Sequence, residues 1–178
     1  MRVIAGAWRG RRLVAPAGSE TRPTGDRARE ALFSILGAAV KDADVLDLYA
    51  GSGALGLEAL SRGAARATFV ERAAAALAAI RANCEHLDVE ASRVELQSRD
   101  CAAFVHDAAA RAEKYDLIFI DPPYATPLGA LLTRELPALL APDARLVCES
   151  DRAAGAQFAL PVVRERRYGN TLIRIHSP

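Results

Sequence analysis

Short apolar stretches alternate along the chain with longer segments in which apolar residues recur at helical spacing. Strands are predicted at residues 45–49, 67–70, 94–97, 117–120 and 145–149. Helices are predicted between them at residues 54–61, 73–86, 102–111 and 128–139. This alternation is typical of repeated β-α units, so we expect an α/β fold with a doubly wound, mainly parallel sheet.

Both ends of the chain depart from this alternation. Residues 158–166 and 171–176 read as two strands joined around Tyr168-Gly169-Asn170, which predicts an antiparallel hairpin at the edge of the sheet. At the other end, residues 3–4 and 12–14 are predicted to pair as a small ribbon, and a helix is expected over 26–40. We therefore expect one domain over 1–178, with an extension at 1–40 and a core at 41–178.

The composition agrees with a single globular domain. The chain has 178 residues, of which 51% are hydrophobic, and a chain of this length buries enough surface to fold without disulfides or a metal. Cys84, Cys101 and Cys148 lie far apart and form no metal-binding spacing, so we expect reduced thiols in the cytoplasm. No apolar run is long enough for a membrane span, and Arg9 interrupts any signal-peptide core.

The charge of the chain is unevenly distributed. The net charge is +1, yet residues 1–29 alone carry +5, because this segment contains seven arginines and only two acidic residues, Glu20 and Asp26. Such a segment suits the phosphate backbone of a nucleic acid, although a solvated surface strand would have the same composition. The candidate RNA-binding residues are Arg2, Arg9, Arg11, Arg12, Arg22, Arg27 and Arg29.

A glycine-rich loop follows the first predicted strand and opens a helix. Gly51 to Gly56 match the pattern G-x-G-x-x-G, in which glycines allow a tight turn and a close approach of a ligand to the helix. In open α/β sheets, ligands bind beyond the carboxyl ends of the strands, where this loop lies. The pattern alone suits a nicotinamide or flavin dinucleotide, a nucleoside cofactor, or a turn without a ligand.

Acidic residues at the strand ends favour one of these ligands. Asp47 would repel a pyrophosphate but attract the ammonium group of S-adenosylmethionine. Glu71 follows Gly51 by 20 residues, where a carboxylate accepts ribose hydroxyls, although it could instead serve the start of the next helix. Asp100 could accept an adenine amino group, and it is equally suited to cap the helix after it.

A second motif, Asp121-Pro122-Pro123-Tyr124, ends the predicted strand at 117–120. The two prolines remove N–H donors and leave the Asp121 carboxylate and backbone carbonyls as acceptors, which suits an amino group as the target. We expect Asp121 and the Pro122 carbonyl to orient that amine and Tyr124 to stack on its base. Methyl transfer from a sulfonium needs in-line placement more than a strong base. The alternative is an ordinary corner between a strand and a helix.

Four strings of the sequence together resemble the RsmD family of bacterial methyltransferases. They are RPTGDRAREALF from Arg22, DLYAGSGALGLEALSRGA from Asp47, FVE ending at Glu71 and DPPY from Asp121. The resemblance implies a class I fold with a seven-stranded sheet and S-adenosylmethionine as cofactor. It implies that DPPY holds the target amine and that the cofactor contacts are Asp47, Tyr49, Ala50, Gly51, Ser52, Gly53, Glu71, Arg72, Asp100 and Cys101.

The same resemblance implies a substrate, the N2 amine of a guanine in small-subunit (16S) ribosomal RNA within a ribosomal particle. The basic N-terminal segment would contact that RNA, while Arg27 and Arg29 could instead form internal ion pairs. We expect a cytoplasmic monomer that needs no metal. The alternatives are a DNA adenine methyltransferase, a dinucleotide-dependent oxidoreductase and a non-catalytic RNA-binding assembly factor. A DNA enzyme would need a recognition region that this chain lacks room for.

Overall fold

The computed structural model describes residues 1–16, 24–122, 129–151, 158–169 and 171–178. The strands within these ranges are β1 Asp44–Leu48, β2 Arg66–Glu71, β3 Val94–Ser98, β4 Tyr115–Ile120, β5 Leu140–Asp151, β6 Val162–Tyr168 and β7 Thr171–His176. They form a seven-stranded sheet in the order β3-β2-β1-β4-β5-β7-β6. The first five strands are parallel, and β7 is antiparallel to both of its neighbours. The predicted α/β architecture with a terminal hairpin is confirmed.

Helices cover both faces of this sheet. They are α1 Thr24–Leu36, α2 Ala54–Ser61, α3 Ala74–His86, α4 Cys101–Ala110 and α5 Ala130–Glu135. One core layer joins Phe33 of α1 and Leu57 of α2 to Phe69 of β2, and a second joins Phe104 of α4 to the other face. Side chains alternate along β1, so Asp47 faces the α2 layer while Leu46 and Leu48 face the α4 layer.

Element ends differ from the sequence predictions where polar residues or proline intervene. β4 begins two residues earlier than predicted because Tyr115 and Asp116 pair within the sheet despite their polar groups. The helix predicted at 128–139 is α helical only over Ala130–Glu135 and continues as a 3₁₀ turn that contains Pro137 near its start. Proline lacks the N–H that an α-helix would require there, so the helix tightens at that point.

The predicted N-terminal ribbon is present and is anchored to α2 by a buried carboxylate. Arg2 and Arg12 form an antiparallel bridge. The carboxylate of Glu58, which is fully buried, accepts the N–H groups of Ile4 at 2.7 Å and Ala5 at 3.0 Å. It also accepts Nε of Arg62 at 2.6 Å. These bonds fix the first residues of the chain against the helix that follows the glycine loop.

Asn83 of α3 links this ribbon to the glycine loop. Its amide group exchanges two hydrogen bonds with the backbone of Val14, at 2.7 and 3.0 Å, and donates a third to the carbonyl of Ser52 at 2.9 Å. The side chain is fully buried, so its polar atoms depend on these partners. The ribbon, α3 and the loop are therefore held as one unit.

We expect Gly56→Ala to lower the free energy of unfolding by about 1 to 3 kcal/mol, because overpacking a close helix-strand contact forces neighbours to shift. A Cβ at this position would lie 2.3 Å from Cε1 of Phe69. Chemical denaturation of the variant measures the change. Gly129→Ala is the matched control, since nothing lies within 4 Å of an added Cβ there. Equal stability of the two variants would contradict the close approach.

Candidate active site

The glycine loop turns sharply between β1 and α2 at the carboxyl edge of the sheet. Gly51 and Gly53 have φ values of 56° and 77°, in the left-handed region that favours glycine. Tyr49 also has a positive φ, 57°, and its N–H donates to Sγ of Cys101 at 3.3 Å. Left-handed backbone at a tyrosine costs energy and is found preferentially at functional sites. The predicted loop therefore has the geometry of a ligand-binding turn.

Asp47 is the penultimate residue of β1, next to this loop, with only 2% of its surface exposed. Its Oδ2 accepts the N–H of Gly56 at 2.9 Å. Burial raises the pKa of Asp47 to about 8, the Gly56 N–H opposes the shift, and the charges of Asp121 and Glu71 add to it. A carboxylate in this position gains stability from a positively charged ligand, because a nearby cation offsets the cost of burying its charge.

Glu71 ends β2 and holds two pieces of backbone in place. Its Oε2 accepts the N–H of Gly51 at 3.0 Å, and its Oε1 accepts the N–H groups of Arg72 and Ala73, both at 2.8 Å. Glu71 therefore accepts the backbone N–H groups just before α3, which is the alternative role that the sequence left open. A carboxylate offers about four acceptor positions, so a ribose hydroxyl can still be accommodated.

Asp100 follows β3 and caps α4. Its Oδ1 accepts the N–H groups of Ala102 at 2.9 Å and Ala103 at 3.2 Å, while Oδ2 lies 3.8 Å from Nη1 of Arg72. The capping role left open by the sequence is thus present, and Oδ2 faces the cleft side. The neighbouring Cys101 is buried, and burial raises the pKa of its thiol to about 12, so it remains protonated.

Two cavities meet at the glycine loop. The Glu71 cavity, about 480 Å³, is lined by Glu71, Arg72, Arg99, Asp100 and Pro122 among others. The Asp47 cavity, about 230 Å³, is lined by Asp47, Ser52, Arg29, Glu149 and Thr171 among others. Tyr49, Gly51 and Asp121 line both. All the predicted cofactor residues except Gly53 therefore line these cavities, and so do Asp121 and Pro122 of the DPPY motif.

The DPPY motif begins at the mouth shared by the two cavities. Asp121 follows β4 and lines both, and Pro122 lines the Glu71 cavity. Pro123 and Tyr124 lie outside the described residues, and so does Arg22. The position of Asp121 agrees with a role at the reacting atoms.

The predicted RNA-binding arginines have different surroundings. Arg9, Arg12 and Arg27 are exposed. Arg2 is exposed and lies 3.6 Å from Asp26. Arg11 donates to the carbonyls of His86 and Leu87 at the end of α3, as expected for a cation at a helix C-terminus. The guanidinium of Arg11 is therefore bound to backbone carbonyls of the protein.

Arg29 requires a correction. The sequence left an RNA contact and an internal ion pair open for it, and the structure shows the ion pair. The side chain is only 6% exposed, lies 3.0 Å from Asp26 and 3.8 Å from Glu58, and donates to the carbonyl of Arg2. A buried guanidinium with these partners anchors the N-terminal ribbon, so Arg29 does not join the RNA-binding set.

Sequence reasoning missed several residues of the Asp47 cavity. Met1, Thr171 and Ile173 line it, together with Glu149 of β5. Glu149 could have been found, because it lies near the carboxyl end of a predicted parallel strand, where ligands bind. The other three carry no motif, and they reach the cavity through the N-terminal ribbon and the antiparallel β7.

The lining of the cleft fits the predicted S-adenosylmethionine. Asp47, Asp121 and Glu149 give the smaller cavity an acidic wall, which suits a ligand with an ammonium and a sulfonium and disfavours a pyrophosphate. Within the part of the chain that the structure describes, no cluster of three or more His, Cys, Asp or Glu could hold a metal ion. Among the same residues, no helix has the length and apolar character needed to span a bilayer.

Comparisons with known proteins place this geometry in a family. The family model described as conserved hypothetical protein 95 matches residues 1–177. "Putative rRNA methyltransferase YlbH" of Bacillus subtilis is 38% identical over 182 residues, covering 99% of this chain and 98% of that protein. "Ribosomal RNA small subunit methyltransferase D" of Escherichia coli is 41% identical over 124 residues, which span 70% of this chain and 60% of that protein.

A solved structure supports the same relationship over the whole fold. "Putative methyltransferase yhhF from Escherichia coli" superposes with a TM-score of 0.86 at 35% identity. The match covers 99% of this chain and 97% of that one. The ribbon and the terminal hairpin are therefore shared features and not additions peculiar to this chain.

We expect the stability of the wild-type protein to fall, relative to Asp47→Asn, as the pH rises from the ordinary carboxyl value of 3.8 to about 8. The folded state binds the Asp47 proton more tightly than the unfolded state, so deprotonation within this window favours unfolding. Melting temperatures of both proteins across the window measure the difference. Asp42→Asn, which removes an exposed carboxylate, is the control for charge. Parallel curves for wild type and Asp47→Asn would refute the raised pKa.

Proposed function

The chain belongs to the RsmD family, that of conserved hypothetical protein 95, and on this basis we propose that it methylates small-subunit ribosomal RNA. The methyl donor is S-adenosylmethionine, and the acceptor is the exocyclic N2 amine of a guanine. The observation that carries the proposal is the position of Asp121, which lines both cavities together with Tyr49 and Gly51 of the glycine loop. The relatives named as rRNA methyltransferases supply the substrate class.

Different residues of the cleft bind different parts of the cofactor. S-adenosylmethionine supplies an electrophilic methyl group on a sulfonium when it is bound. Asp47 faces the ammonium of its methionine part, and Glu71 accepts ribose hydroxyls with the acceptor positions that the backbone leaves free. Oδ2 of Asp100 is placed for the adenine amino group. The loop that would surround the cofactor is formed by Tyr49, Ala50, Ser52 and Gly53. Arg72 and Cys101 lie beside Asp100.

Asp121 and the two prolines orient the acceptor amine. The Asp121 carboxylate and the Pro122 carbonyl accept the N–H groups of the guanine amine, which directs its lone pair towards the methyl group. Tyr124 stacks on the base and contributes about 1 to 3 kcal/mol of binding. When bound, S-adenosylmethionine would supply its methyl group to this nitrogen, and Asp121 or water would accept the proton that the nitrogen then loses.

Substrate binding is divided between two parts of the chain. Residues 1–40 supply exposed arginines for the RNA backbone, and residues 41–178 supply the cofactor site and DPPY. We further propose that the RNA is presented within a small-subunit particle and that the protein acts as a cytoplasmic monomer. The acidic wall beside Asp47 argues against a dinucleotide-dependent oxidoreductase, because it would repel a pyrophosphate.

We expect Asp121→Ala to lower the rate of methyl transfer at least about 100-fold, while affinity for RNA stays nearly unchanged, because the residue acts on the reacting amine. Labelled S-adenosylmethionine and unmethylated small subunits provide the assay, and digestion to nucleosides followed by mass analysis identifies N2-methylguanosine. Glu85→Ala, which removes an exposed carboxylate from α3, should keep full activity. A fully active Asp121→Ala, or a different methylated base from the wild type, would contradict the proposal.

We expect Arg9→Ala/Arg12→Ala to weaken RNA binding and to reduce the slope of log affinity against log salt by up to about one unit per lost phosphate contact. Cofactor affinity should not change, because both side chains lie outside the two cavities. Titrations at several salt concentrations measure the slope. Arg29→Ala provides the contrast, since loss of a buried ion pair should lower the melting temperature. An unchanged slope would mean that Arg9 and Arg12 are merely solvated.

A further inference from the structure

The edge strand β6 carries three arginines, Arg164, Arg166 and Arg167, that the RNA-binding segment does not include. All three are exposed. One carboxylate, Glu165, lies among them, and it accepts Nε of Arg174 at 2.9 Å and lies 3.4 Å from Arg167. Among the described residues, β6 is the last strand of the sheet and pairs only with β7. It therefore presents a positively charged border along one side of the molecule.

Strand pairing places Arg164 and Arg166 on the same face as α1. In β7, Ile175 pairs with Arg164 and Ile173 pairs with Arg166. Directly opposed residues in an antiparallel pair project to the same face. Both isoleucines pack in the core layer that contains Phe33 of α1, so the two arginines lie on the α1 side of the sheet.

The same pairing connects these arginines to the cleft. Ile173 lines the Asp47 cavity, and so does Thr171, which pairs with Tyr168 at the end of β6. Arg166 is therefore one strand away from the wall of the cavity. A strand adds about 3.4 Å per residue, so Arg164 lies about 7 Å farther along the same border.

The exposed arginines of the N-terminal segment lie on this face as well. Val3 and Leu13 of the ribbon pack in the same core layer as Ile173 and Ile175. The exposed arginines on the α1 side thus include Arg9, Arg12, Arg27, Arg164 and Arg166, together with Arg2, which lies 3.6 Å from Asp26. By contrast, arginines near the α4 and α5 layer are matched by acids, as in the pairs Arg111–Glu113 at 2.7 Å and Arg134–Glu135 at 3.0 Å.

We propose that Arg164 and Arg166 of β6 bind backbone phosphates of the RNA whose target base enters the cleft, as a second contact area on the same face as the N-terminal ribbon. The inference rests on the proposed function, because it takes RNA as the substrate. Charge complementarity selects this occupant: a strip of arginines on one face, leading to the cavity, matches a polyanion that crosses the cleft. If these arginines served only to keep β6 from pairing with a strand of another chain, they would not need to lie on the face that leads to the cleft.

The test compares Arg164→Ala/Arg166→Ala with Arg111→Ala/Arg134→Ala, which removes the same charge from the other layer. Unmethylated small-subunit RNA, naked and within particles, is the probe. We expect the β6 variant to bind naked RNA about tenfold more weakly and to lose about 1.5 units of salt slope, as expected for two phosphate contacts. The control variant should retain the wild-type slope. Arg164→Lys/Arg166→Lys should preserve most of the affinity, because the phosphates are bound by the positive charge.

The outcomes distinguish a failure of the second contact area from a failure of the proposed function. If the wild type methylates RNA but the β6 variant matches the control in affinity and slope, the second contact area is refuted. A loss of binding to particles but not to naked RNA would also overturn it, because the partner of β6 would then be a protein. Absence of methyl transfer by the wild type, with cofactor still bound, would reject the proposed function itself. A melting temperature equal to that of the lysine variant establishes that the alanine variant is folded.

Discussion

Hydrogen bonds that backbone N–H groups donate to four carboxylates hold the cleft and the N-terminal ribbon in place. The four carboxylates concerned are Asp47, Glu58, Glu71 and Asp100. They fix the start of α2, the N-terminal ribbon, the glycine loop and the start of α4, in that order. Three of the four also lie at the carboxyl edge of the sheet, where the cofactor would bind. Each carboxylate oxygen can accept more than one bond, so a structural role and a ligand-binding role are compatible in one side chain.

This arrangement separates two kinds of electrostatic environment. The interior of the cleft is acidic, because the parallel strands β1, β4 and β5 all end near carboxylates. The surface on the α1 side is basic, because the ribbon, α1 and β6 present their arginines there. A cationic cofactor and a polyanionic substrate are therefore attracted to different parts of the same site. The acidic groups that attract the cofactor are thus separate from the arginines that attract the RNA.

The sequence was sufficient to predict the fold and the grouping of the candidate cofactor residues at one edge of the sheet, since those depend on local patterns. Hydrophobic periodicity located the strands, and parallel strands bring their carboxyl ends together, so Asp47, Glu71, Asp100 and Asp121 could be grouped in advance. The burial of Arg29 could not be foreseen, because its partner Glu58 is 29 residues away and the contact depends on how α1 packs on α2. The role of β6 likewise depends on strand order, which periodicity does not reveal.

The position of Met1 has a practical consequence for anyone who labels or purifies the protein. Its side chain lines the Asp47 cavity, and Oγ of Ser52 lies 3.6 Å from its sulfur atom. An affinity tag or fluorophore joined before Met1 would thus start at the wall of the catalytic cleft. At the C-terminal end of β7, His176 pairs with Leu146, and Oγ of Ser177 accepts Nη1 of Arg145 at 2.9 Å. A fusion attached after Pro178 would therefore start near Arg145 of β5, away from the carboxyl edge of the sheet where Asp47 and Asp121 lie.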